Sequence, residues 1–436
     1  MLGHEKEHRS LTRKQKEAIG LLSIGTFLEY FDLMLYVHMA ILLNELFFPK
    51  ADPDTAALYS AIAFCSTFVV RPVGALVFGW IGDNIGRKPT VVLTTIMMAF
   101  SCFVMANLQT HAEIGITATI AVTICRILQG LSSMGEVIGA ELYVTEITKP
   151  PVQYPAVALI PTASTLGGMA ALGVAAVVTS FGFNWRLAFW FGVIIALVGG
   201  IARTALRETP DFVDAKRRIK LNVEEAGYNP HFVDNNSIVK DKVNKKTILA
   251  LFFVGCTWPV CFYFVYIHCP NILKNILHLT SEQIIHQNFI VSIVHLISYL
   301  ILTFLSYYVY PLKILRIKLV IFTAFILICP YLLNNIHNSF DVLLIQLFVV
   351  LFGFTGVPAS PLYYKHFPVF KRFTYPSFIY ALSRAVTHVI SSFGMIYVIK
   401  YFENWGLLLL LIPTALCFKW SIDHFEKLEI EAGNYP

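Results

Sequence analysis

Six ionisable side chains stand inside stretches that are otherwise apolar: Glu29, Asp32, Arg71, Arg126, Glu136 and Arg384. On insertion scales a charge at the centre of an apolar helix costs about 2.5–3.5 kcal/mol unless it is paired or wet, so each marks a partner or a pathway. Glu136, Asp32 and Glu29 are the candidates for carrying a coupled proton, because a carboxylate that binds and releases a proton changes the charge of its surroundings. Arg126 and Arg384 are the candidates for holding a substrate carboxylate, by the bidentate geometry that guanidinium favours. Tyr30 offers a ring face to a quaternary ammonium. Arg71 is expected in a structural ion pair that holds helices together. Glu136 and Arg126 are ten residues apart on one helix, roughly 15 Å along its axis, so they do not pair with each other.

These residues need a scaffold, and the composition names it. Of 436 residues, 56% are hydrophobic and only 14% charged, against about 25% charged in soluble domains. The chain divides into twelve apolar stretches, at about 18–48, 55–80, 89–109, 113–143, 153–180, 185–206, 247–269, 284–310, 314–333, 339–362, 373–400 and 404–422, each near the ~20 residues that cross a bilayer as a helix. The expected fold is therefore an all-α membrane protein with twelve transmembrane helices in two six-helix halves. Its divisions are a tail at 1–17, a first half at 18–206, a linker at 207–246, a second half at 247–422 and a tail at 423–436. Glu29, Arg71, Glu136 and Arg384 then lie in one layer, about 14–18 Å from one membrane face.

Lys and Arg concentrate on alternate loops, which places both termini in the cytoplasm of a multi-pass protein of the cell (inner) membrane. The net charge of +6 follows this topology, and no nucleic-acid partner is expected. The charged start "HEKEHRSLTRKQKE" and the long first apolar run differ from a cleaved signal peptide. The eight cysteines lie in or at the ends of apolar stretches without a C-x-x-C pair, as buried thiols do. Within the linker, "TPDFVDAKRRIK" has the pattern of a short amphipathic helix at a lipid surface, or of a solvated tether.

Between the second and third stretches the chain reads "GWIGDNIGRKPT". Gly79 and Gly86 allow a close approach and a sharp turn, Asp83 offers a carboxylate, and Arg87 and Lys88 offer cations. Such a loop is expected to latch helix ends in one conformation and release them in another. It resembles the signature loop of the major facilitator superfamily. "GTFLEYFDLMLYVHMA", "VVRPVGALVFGWIGDNIGRK", "RILQGLSSMGEVIGAELYVTE" and "NWRLAFWFGVIIALVGGIARTALRETPDF" narrow the resemblance to its metabolite:proton symporters, which include proline/betaine, α-ketoglutarate, citrate and shikimate transporters. The second half resembles the family less: "YYVYPLKILRIK", the counterpart of the signature loop, keeps basic residues but lacks the glycines and the acid.

The resemblance implies secondary active transport, with protons and a small organic solute as partners, two halves rocking around a midplane site, and no cofactor. A proline/betaine-like zwitterion is the favoured solute. A dicarboxylate, or a transporter-derived sensor that binds without transport, is the alternative. Motifs of metalloproteases, serine hydrolases and P-loop ATPases are absent from the sequence, so the protein is not expected to be an enzyme. His38, His268, His295 and His388 show no metal-ligand spacing and are expected in packing; no metal is expected. Glu141 and Glu146 are expected near the inner interface, paired with Arg87 or other basic loop residues. The protein is expected to act as a monomer.

Overall fold

The computed structural model describes residues 10–49, 53–84, 87–133, 136–180, 184–204, 243–368, 372 and 374–435. Among the described residues helix occupies most of each apolar stretch, with a non-helical break at 353–359 inside the stretch 339–362. The first half contains α1 (Arg13–Phe47), α2 (Pro53–Val69), α3 (Arg71–Asn84), α4 (Arg87–Asn107), α5 (His111–Ile114), α6 (Ile116–Ser132), α7 (Glu136–Ile147), α8 (Gln153–Ser180) and α9 (Arg186–Thr204). The second contains α10 (Lys245–Tyr263), a π-helical turn (Phe264–His268), α11 (Cys269–Asn275), α12 (Ser281–Tyr308), α13 (Pro311–Asn334), α14 (Ser339–Phe352), α15 (Ser360–Tyr364), α16 (Thr374–Phe402) and α17 (Leu407–Glu431). Among the described residues there is no strand. The amphipathic segment expected in the linker lies outside the described residues.

Apolar residues cover the outside as well as the core. Leu76, Phe304, Val320 and Leu416 are all more than 60% exposed, a surface suited to lipid and not to water. With no hydrophobic drive between helices in lipid, small residues must let backbones touch. They do so at two crossings: a Cβ on Gly167 of α8 would stand 2.3 Å from the Phe27 carbonyl oxygen of α1, and one on Gly130 of α6 would stand 2.1 Å from that of Thr67 in α2.

The halves meet through α8 against α12 and α2 against α16. Call the membrane face where α1 begins and α17 ends the first face. There Arg372 lies 3.7 Å from Glu146, and the rings of Tyr154 and Tyr310 stand edge to face at 6.1 Å. On the second face Lys274 donates to Glu45 at 2.5 Å, and Ser180 hydrogen-bonds His286 at 2.5 Å. Contacts between the halves thus occur on both faces, with a cavity between them.

Candidate functional site

The cavity encloses about 180 Å³ and takes its walls from both halves. Two interior prolines border it, Pro161 of α8 and Pro259 of α10, and each removes one helix hydrogen bond. Aromatic and aliphatic residues together make up most of its lining, which leaves its polar groups to set orientation.

Arg384 of α16 is one of them. Its guanidinium carbon lies 3.3 Å from the centre of the Tyr380 ring, one turn earlier on the same helix. Tyr380 in turn shares a 2.7 Å hydroxyl–hydroxyl hydrogen bond with Tyr30 of α1, so this contact also ties the halves together. Arg71 opens α3 after a break at Val70, with its guanidinium carbon 4.7 Å from the centre of the Phe68 ring. The Phe68 ring stands 3.9 Å from that of His388, one turn after Arg384 on α16, which puts the two cations at one part of the cavity. Nη1 of Arg384 and both Nε and Nη2 of Arg71 are buried without a hydrogen-bond partner. Such donors are costly to leave unmet in a dry site, and a ligand carboxylate would meet them.

The acid on the wall is Glu141 of α7. Tyr364 of α15 donates its hydroxyl hydrogen to Oε2 of Glu141 at 2.5 Å, a bond between the halves. Where a loop partner at the inner interface was expected for Glu141, the structure places it on the cavity wall with a hydroxyl donor from the other half. Glu146, one turn further, does meet a basic loop residue, Arg372. Glu141 and Tyr364 are the pair that sequence reading missed. The available signal was an acid inside an apolar helix; its partner comes from a distant part of the chain.

Other expected site residues stand elsewhere. Glu29, on the layer of Tyr30, is buried and accepts a 2.7 Å hydrogen bond from Ser133. Asp32 is 3% exposed and faces α9, where a Cβ on Gly192 would stand 3.4 Å from its Oδ1. Arg126 is fully buried, with its guanidinium carbon 4.3 Å from the centre of the Tyr36 ring and Nη1 donating to Gln129 Oε1 at 2.8 Å. None of these three lines the cavity; they form the polar interior of the first half. Tyr30, Arg384 and Arg71 do line it. Among the described residues Arg71 has no carboxylate within ion-pair distance, and the side chain of Glu136, an acid expected at the same depth, lies outside them. The side chains of Asp83, Arg87, Lys88 and Glu136 lie outside the described residues, as does the whole of Gly86; the backbone places Gly79 within α3 and Glu136 at the first position of α7. Among the described residues no three His, Cys, Asp or Glu side chains are grouped to hold a metal ion.

Residues 22–399 match the Major Facilitator Superfamily. The proline/betaine transporter of Salmonella typhimurium is 27% identical over 277 residues, covering 62% of this chain and 55% of that one. The inner membrane metabolite transport protein YhjE of Escherichia coli is 33% identical over 232 residues, covering 50% of this chain and 52% of that one. The chain thus spans about half the length of the curated relatives it matches. Among solved structures, the proton:xylose symporter XylE bound to 6-bromo-6-deoxy-D-glucose superposes with a TM-score of 0.73 over 95% of each chain, at 14% identity. The human organic anion transporter MFSD10 superposes with a TM-score of 0.65 over 95% of this chain and 100% of its own, also at 14% identity. At that identity the likeness is one of fold.

Proposed function

This chain belongs to the Major Facilitator Superfamily, and on that premise we propose that it moves a small carboxylate-bearing organic solute across a membrane by alternating access, coupled to protons. The observation that carries the reading is the cavity between the halves, where Arg71 and Arg384 turn partnerless N–H groups inward and Glu141 stands on the same wall system. The two guanidinium groups take the carboxylate. A proline/betaine-like zwitterion is the favoured solute, since Glu141 supplies a negative counterpart for a cationic end, and the names of the relatives support it. Organic-acid symport is the second reading, favoured by the presence of two arginines, Arg71 and Arg384, on the cavity wall.

Rocking of the halves exposes the site to one face at a time. The loop at 79–88 gates the first face, where both termini are taken to be cytoplasmic. Glu136, Asp32 and Glu29 are the proton carriers in this scheme, with Glu136 first.

Two variants in proteoliposomes test it. Arg384→Gln is expected to abolish both solute exchange and net uptake. Glu136→Gln is expected to keep exchange while losing accumulation driven by a pH gradient. A Glu136→Gln protein that still concentrates solute would remove Glu136 as the essential carrier and pass the role to Asp32 or Glu29. Saturable binding with no exchange in the unsubstituted protein would mark a sensor and overturn transport.

A further inference from the structure

The wall of the cavity contributed by α10, the π-helical turn and α12 has a different character from the arginine end. His295 of α12 lies between three aromatic rings: it stacks on Trp258 at 4.5 Å and 30°, and meets Tyr299 edge to face at 4.8 Å. Its Nδ1 is 3.5 Å from the Tyr266 hydroxyl, at the outer limit of a hydrogen bond, and its Nε2 is buried with no partner. Tyr266 belongs to the π-helical turn Phe264–His268, a distortion that costs helix regularity and recurs at functional sites. Across the halves, the ring of His38 in α1 stands edge-on to Tyr266 at 5.4 Å. All four of His38, Trp258, Tyr266 and His295 line the cavity.

A neutral imidazole presents one N–H donor and one lone-pair acceptor whichever tautomer it adopts, and a tyrosine hydroxyl presents both. Here that capacity is held in place by stacking and left largely unused, and buried polar groups without partners are rare enough to need an explanation. We propose that His295, with Tyr266 and His38, forms a second subsite that reads the end of the solute remote from its carboxylate. The subsite selects a solute whose far end donates or accepts hydrogen bonds, through N–H, hydroxyl, oxo or a second carboxyl. It disfavours one whose far end is a fully methylated ammonium, which offers no hydrogen-bonding group and leaves the imidazole unmet. The proposal rests on the reading of the cavity as a carboxylate-solute site and sharpens it: among zwitterions it places proline ahead of N-methylated betaines.

The test compares small carboxylates that carry different groups away from the carboxylate, with L-proline and N,N-dimethylproline differing at nitrogen alone, using the full chain purified in lipid nanodiscs. L-proline, trans-4-hydroxy-L-proline, L-malate and N,N-dimethylproline are added in turn and the melting temperature is read. At least one of the first three is expected to raise it, and N,N-dimethylproline is expected to raise it less than proline does. His295→Phe, which keeps the stacking, is expected to erase that difference, and His295→Asn, which keeps a donor and an acceptor, to restore part of it. If His295→Phe fails to fold, Tyr266→Phe, which deletes only a hydroxyl, is expected to narrow the same difference. The proposal is overturned if N,N-dimethylproline stabilises as well as proline, if the variants leave the order unchanged, or if none of the four compounds shifts the melting temperature. Transport itself is tested without these compounds, by the two-face labelling that closes the Discussion, so failure of the subsite and failure of alternating access are read separately.

Discussion

The two halves bring charge to the first face in opposite ways. In the first half Asp83, Arg87 and Lys88 fall within six consecutive residues, at the end of α3 and the start of α4. In the second half the corresponding stretch carries Lys313, Arg316 and Lys318 and no acid; the acids come from the far end of the chain. Arg316 binds both Asp423, at 2.7 Å, and Glu426 of α17. One turn on, the fully buried Glu429 gathers the Tyr310 hydroxyl at 2.9 Å, the His366 ring at 2.5 Å and Lys365. A pairing that looks lost in one half of the sequence is rebuilt in space from a helix about a hundred residues away. Charge complementarity in a helical bundle is a tertiary property, and a local motif is one way among several to achieve it.

Removing the hub of the second arrangement is the hardest test of that contrast. Glu429→Gln leaves Lys365 and His366 facing a neutral amide in a buried setting, and breaking such a cluster is expected to cost about 3 kcal/mol. The measurement is the melting temperature in detergent, which is expected to fall well below that of the unsubstituted protein. Asp83→Asn in the first half is expected to do the reverse: protein stays in the membrane, while transport slows about tenfold, or ~1.4 kcal/mol in barrier. Normal uptake in that variant would remove the gate role. Arg316→Gln deletes a pair that is 40% exposed on the arginine side, so a loss of about 1 kcal/mol or less is expected, shrinking further in high salt. Tyr435→Phe removes one hydroxyl donated to Glu426 and is expected to cost about 0.5 kcal/mol. If Tyr435→Phe or Arg316→Gln destabilised more than Glu429→Gln, the hub would be misplaced.

Helices were legible because each is a long apolar run, and no soluble element shares that signature. Parts of the site were legible for the same reason: Arg384 and Tyr30 stand out as polar groups in apolar stretches, and both line the cavity. The remainder turned on which helix faces which. A buried charge announces that it avoids lipid, yet Asp32 and Arg126 avoid it inside the first half, while Arg71 and Glu141 avoid it at the cavity. Nothing local separates those cases, because these helices are apolar nearly all round and periodicity assigns no inward face. Glu141 finds Tyr364, more than two hundred residues later in the chain. The histidines were expected in packing, and His38, His295 and His388 do pack against rings; that they also border the cavity depends on the same unseen pairing of helices.

Alternating access is the central claim, and two-face labelling tests it most directly. Ser164 lines the cavity, and Ser164→Cys gives a thiol there against a background of buried or half-buried native cysteines. In oriented vesicles this thiol is expected to react with a membrane-impermeant reagent added from either face. Cross-linking Glu45→Cys to Lys274→Cys, across the second-face contact, is then expected to abolish labelling from that face and preserve it from the first. Labelling from the second face that survives the cross-link, or a Ser164→Cys protein that reacts from one face alone before any cross-link, would contradict the account.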